Sequence, residues 1–142
     1  MNINIDRFFW FAGLVMAAEV VMSRKLLEVI FESARAVYPR EVILLLRGKA
    51  GREKIEVTDI VIPPLATHGR GFAGFPFHML PMDFSLVGSV HSHPSGNAAP
   101  SVGDLNHSFG IVMMIVAYPF MGKENVAVYN RSGVEMALGL TD

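Results

Sequence analysis

Apolar positions along the chain recur in three different rhythms. Over residues 23–37, Leu26, Leu27, Ile30, Phe31, Ala34 and Val37 return every three or four residues, with Lys25, Glu28 and Glu32 on the other side. That spacing predicts an amphipathic helix capped by Ser23. Tyr38-Pro39 ends it, because the residue before a proline is pushed out of helical geometry. Residues 42–46 and 111–118 are apolar without alternation, as in strands buried on both faces. Residues 55–62 alternate imperfectly, as in a strand covered mostly on one side, and residues 19–22 and 86–90 read as short strands. The two glycines in residues 47–52 mark a hairpin turn. Residues 126–129, a turn at 130–133 and residues 134–138 read as a closing hairpin. A short helix that starts around 101–104 is expected to continue from Leu105 to about Phe109, ended by Gly110. Central buried strands, flanking helices and antiparallel hairpins predict an α/β or α+β domain in three layers.

Length and charge narrow the function classes. The 142 residues suit a single domain, here expected over residues 22–142. Twelve basic residues face thirteen acidic ones, without a basic stripe, so nothing points to nucleic acid. Cysteine is absent, which excludes disulfides and cysteine-ligated zinc. Residues 8–18 form an unbroken apolar run, shorter than the roughly 20 residues of a membrane span. Only Arg7 precedes it as a positive charge, Asp6 offsets that charge, and no clear small-residue cleavage site follows. Residues 1–21 are therefore read as a packed or appended apolar extension of a cytoplasmic protein. A membrane-surface anchor, or upstream sequence before a start at Met16 or Met22, are the other readings. Residues 63–83, with Pro63-Pro64 and a glycine–aromatic cluster at 68–76, form a loop, in which 77–80 could make a short strand; His68 and His78 there are not ligand candidates.

Candidate chemistry concentrates in residues 90–104. If the strand at 86–90 continues through His93, His91 and His93 point to one face, since side chains alternate along a strand. A loop of seven residues then leads to Ser101, and Asp104 follows after two intervening residues. Two neutral imidazoles and one carboxylate make the three-ligand set of a catalytic zinc, which keeps its fourth position for water. Ser101 and Asp104 also make a good helix start, with serine at the N-cap and an acid at the third helical position. The two roles are compatible. Glu41, at the mouth of the apolar run 42–46, would sit at the edge of the core, where burial raises a carboxyl pKa. His107, one turn after Asp104, would lie near a metal or simply be a partly exposed helix residue.

The wording His-x-His, seven residues, Ser, two residues, Asp resembles the signature of the JAMM (MPN+) zinc metalloisopeptidases. Glu41, followed by an apolar strand ending at Gly48 and preceded by Pro39, fits the upstream part of the same pattern. The resemblance runs from about Met22 to the end of the chain. It implies that His91, His93 and Asp104 hold one zinc ion, that Ser101 helps stabilise the tetrahedral intermediate, and that Glu41 is the general base. It also implies the JAMM/MPN fold, a central mixed sheet flanked by helices, with a three-layer architecture like that of cytidine deaminases. The expected substrate is a ubiquitin-like modifier or sulfur-carrier protein and its conjugates, cut after the C-terminal glycine. Without the long insertions of larger members, the chain looks like a minimal prokaryotic or archaeal-type enzyme.

Three rivals stand beside this reading. A non-catalytic MPN scaffold usually lacks one or more ligands, and none is lacking here. The JAB-type domain of RadC proteins has similar wording, but this chain has no helix-hairpin-helix segment. A zinc nucleoside deaminase would need a Pro-Cys-x-x-Cys element. Monomer and homodimer are both open, as are the modifier's identity and the choice between isopeptide and linear bonds.

Overall fold

A computed structural model describes residues 19–63, 67–69, 72–74, 83–106 and 109–142. Their elements are β1 (Glu19–Ser23), α1 (Arg24–Val37), β2 (Ile43–Ala50), β3 (Lys54–Val61), β4 (Thr67–Gly69), β5 (Phe72–Gly74), β6 (Leu86–His93), α2 (Val102–Asn106), β7 (Val112–Ala117), β8 (Val126–Asn130) and β9 (Glu135–Thr141). Seven strands form one mixed sheet in the order β1-β3-β2-β6-β7-β8-β9, which closes on itself where β1 pairs with β9. The pairs β6–β7, β1–β3 and β1–β9 are parallel, and the other neighbours antiparallel. The α+β class and the mixed sheet match the sequence reading.

The helix α1 forms where the three-and-four spacing places it. Ser23 Oγ accepts the Leu26 N–H at 3.0 Å, and Leu27, Ile30, Phe31 and Ala34 are buried. They pack with Leu44 and Leu46 of β2, Val90 of β6 and Met114 and Val116 of β7 in one apolar cluster. The intervening β2 residues, Ile43 and Leu45, belong to a second cluster with Val61, Leu86 and Phe109. The strand β2 is thus buried on both faces, and only one of them meets α1. Residues directly opposite on paired strands share a face, so His91, paired with Ile43, lies on the face away from α1.

Several elements extend further than their apolar pattern. The strand β2 continues to Ala50, past a bulge at Arg47/Gly48, because β3 supplies backbone partners to residues that are no longer apolar. The hairpin turn shrinks accordingly to 51–53. Gly48 is required there: a Cβ would lie 1.9 Å from the Glu56 carbonyl oxygen. The strand β9 runs to Thr141 because β1 pairs with it from Ala137 onward. A 3-10 turn at Lys123–Asn125 leads into β8. The second helix begins at Val102, directly after the expected N-cap Ser101. The apolar run 8–18, the possible strand 77–80 with His78, and His107 lie outside the described residues, and His68 is described only as backbone of β4. Among the described residues no helix is long and apolar enough to cross a membrane.

Candidate metal centre

The strand β6 runs through His93, so Ser89, His91 and His93 project from one face of the sheet. The chain then crosses residues 94–100 and turns back as α2. Two contacts shape this crossing. Asn97 Oδ1 accepts the Ala99 N–H at 2.9 Å, and the Ala98 carbonyl accepts the Tyr129 hydroxyl at 3.0 Å.

At the start of α2, Ser101 and Asp104 form the reciprocal cap that the sequence suggests. Ser101 Oγ accepts the Asp104 N–H at 3.1 Å, while Asp104 Oδ2 accepts the Ser101 N–H at 2.7 Å. The same carboxylate reaches both histidines. Its Oδ2 lies 3.1 Å from His93 Nε2, and its Oδ1 lies 3.5 Å from His91 Nδ1. The local need to cap a helix therefore also aims the carboxylate.

The tautomer of His93 follows from its neighbours. Its Nδ1 lies 3.0 Å from the Asn97 carbonyl oxygen, which can only accept, so Nδ1 carries hydrogen. In the neutral ring the lone pair is then on Nε2, facing Asp104. Burial by itself would lower the His93 pKa, but the Asp104 carboxylate, the Asn97 carbonyl and Glu41 together raise it. Burial would likewise raise the Asp104 pKa, yet hydrogen bonds from His93 and Ser101 hold it well below the usual carboxylate range.

Glu41 lies two residues before β2. In the β2–β6 register Ile43 faces His91, and the pairing continues outward: the Ser92 N–H bonds the Val42 carbonyl at 3.0 Å and Ser92 Oγ accepts the Val42 N–H at 2.8 Å. One step further, Glu41 falls opposite His93. Burial raises its pKa, His93 opposes that shift, and Asp104 adds to it. The structure thus brings His91, His93, Asp104 and Ser101 together and sets Glu41 within their electrostatic reach.

The donors, two imidazoles and one carboxylate, fit zinc in kind. Ligands about 2.0–2.2 Å from a tetrahedral zinc lie roughly 3.3–3.6 Å from one another; the 3.5 Å between His91 and Asp104 falls in that range, and the 3.1 Å between His93 and Asp104 is shorter, a direct hydrogen-bond distance. Each Asp104 oxygen faces one imidazole, so the three side chains meet pairwise, and among the described residues they do not close into one cage. Three supporting residues escape a reading of the sequence: Ser89, Ser92 and Asn97. The available signal is two serines beside the two histidines of a strand otherwise made of apolar residues and glycine, and the structure buries both serines fully; Asn97 acts through its backbone and leaves none.

Fold and site together define an α+β protein with a two-imidazole, one-carboxylate centre at the mouth of its buried strands. Residues 23–132 match the family described as prokaryotic homologs of the JAB domain, and the chain belongs to that family. A relative from Haloferax volcanii, named a probable metalloprotease, is 32% identical over 123 residues, covering 82% of this chain and 76% of its own. A solved JAB1/MPN domain protein from Archaeoglobus fulgidus superposes with a TM-score of 0.64 at 32% identity, over 85% of this chain and 98% of its own. Another, described as JAMM, a metalloprotease-like zinc site in the proteasome and signalosome, gives 0.63 at 29% identity, over 90% and 99%.

Proposed function

We propose that this protein is a zinc-dependent peptidase that hydrolyses the amide after the C-terminal glycine of a ubiquitin-like modifier or sulfur-carrier protein, above all an isopeptide to lysine. The observation that carries the reading is Asp104, held by the helix cap within 3.1 Å of one imidazole and 3.5 Å of the other. The names of the relatives, a probable metalloprotease and a metalloprotease-like zinc site, support it.

Zinc held by His91, His93 and Asp104 would supply Lewis acidity and lower the pKa of water toward neutrality. The remaining work falls to the chain. Glu41, its pKa raised by burial, accepts the proton of the attacking water and passes it to the departing amine. Ser101 Oγ spends a lone pair on the Asp104 N–H, which leaves its hydrogen to donate to the carbonyl oxygen as negative charge builds there. Asp104 stays ionised through the cycle, since its pKa is held low. For the substrate, β4 and β5 pair with each other apart from the main sheet. Such a short hairpin offers strand edges to the extended tail of a modifier, which binds through backbone hydrogen bonds.

The test is cleavage of a ubiquitin-like protein joined through its terminal Gly-Gly to a lysine side chain. Release of the modifier is expected with zinc and is expected to vanish with chelator or with Glu41→Gln. A protein that binds one zinc and leaves every such conjugate intact would overturn the peptidase reading in favour of a binding role.

A further inference from the structure

We infer that Ser89 is a positioning residue that orients His91 for the metal; this rests on the zinc reading above. Ser89 lies two residues before His91 on the same face of β6, and its Oγ is 3.2 Å from His91 Nε2. That nitrogen is the one turned away from Asp104, which faces Nδ1 instead. A serine hydroxyl can accept from a ring N–H. With the hydrogen held on the Ser89 side, the lone pair of the neutral ring is presented on the Asp104 side.

The surroundings of Ser89 make a filler role a poor explanation. It is fully buried, with Leu45 paired to it on one strand and Met113 on the other. An alanine would fit there without the cost of burying a hydroxyl, and a buried hydroxyl is retained only when hydrogen-bonded. The partner is the imidazole. The two candidate ligands are therefore anchored by different means: His93 by the Asn97 carbonyl of a loop, His91 by a side chain of its own strand. Outer partners of this kind fix ring orientation, and their loss typically costs about 10–100-fold in metal affinity.

The experiment is zinc affinity, measured by competition with a chromophoric chelator, for the full chain and for Ser89→Ala, Ser89→Thr and His91→Ala. The melting temperature of each is recorded in chelator, to separate folding from positioning. Ser89→Ala should bind zinc at least about tenfold more weakly with its chelated melting temperature little changed, and Ser89→Thr should restore the affinity. Cobalt substitution should show an altered visible spectrum for Ser89→Ala. Equal zinc affinity in Ser89→Ala and the parent would overturn the role of Ser89 while leaving the metal site standing. A parent that binds no more zinc than His91→Ala would overturn both.

Discussion

Replacing Asp104 with asparagine separates its two roles. The shape of the side chain and one amide oxygen remain, so the Ser101 N–H, now 2.7 Å from Oδ2, keeps an acceptor. The helix start should therefore lose less than the roughly 1 kcal/mol of a deleted cap. What disappears is the negative charge between the imidazoles. At 3.1 Å, with both side chains 12% exposed, an effective dielectric near 20 gives a Coulomb attraction of roughly 5 kcal/mol. Desolvation offsets most of it, leaving about 1.5–3 kcal/mol for a charge-assisted hydrogen bond. In chelator near pH 6, where the raised pKa keeps His93 largely protonated, Asp104→Asn should cost about 2 kcal/mol by urea denaturation. Its zinc affinity should fall by more than the roughly 100-fold seen for outer partners, since a charged ligand is lost. Ser101→Ala is the control: it should lose about 1 kcal/mol of cap and keep its zinc. An Asp104→Asn variant that binds zinc within tenfold of the parent would refute the ligand assignment.

Three further outcomes follow from the same geometry. Glu41→Gln should lower kcat by about 10²–10⁴ while still binding one zinc; full turnover with bound zinc would remove Glu41 as the base. Because zinc competes with the proton on His93, whose pKa is raised by Asp104, Asn97 and Glu41 against the opposing effect of burial, affinity should climb up to about tenfold per pH unit as pH rises toward that pKa, then level off. In chelator, the stability due to protonated His93 is present below the unfolded-state pKa and is lost as pH rises through the folded one; titrations that are flat with pH would contradict this. Gly88→Ala places a Cβ 1.9 Å from the Val112 carbonyl oxygen, a backbone atom of the neighbouring strand. It should cost about 3 kcal/mol or more, and an unchanged urea midpoint would show that β6 and β7 can separate there freely.

What was legible in the sequence is what depends on local pattern. The helix α1 and the strands β2, β6 and β7 follow from apolar spacing, since each buries one stripe or both faces along its own length. His91, His93, Ser101 and Asp104 are found together because strand alternation and helix capping, both short-range rules, bring them there. Glu41 was legible only in part: its place opposite His93 depends on the β2–β6 register, fixed across some fifty residues of chain. The closure of the sheet through β1 and β9 was not legible, because nothing local in residues 19–23 names residues 137–141 as partner. Nor was Asn97, since a backbone carbonyl carries no side-chain signal. The bulge at Gly48 is visible only once β3 lies against it.

The most direct test of the account is anomalous diffraction at the zinc edge from crystals grown with zinc. One peak within bonding distance of His91, His93 and Asp104, with Glu41 nearby but not coordinating, is the predicted result. Zinc bound elsewhere, or none where these three side chains meet, would contradict it.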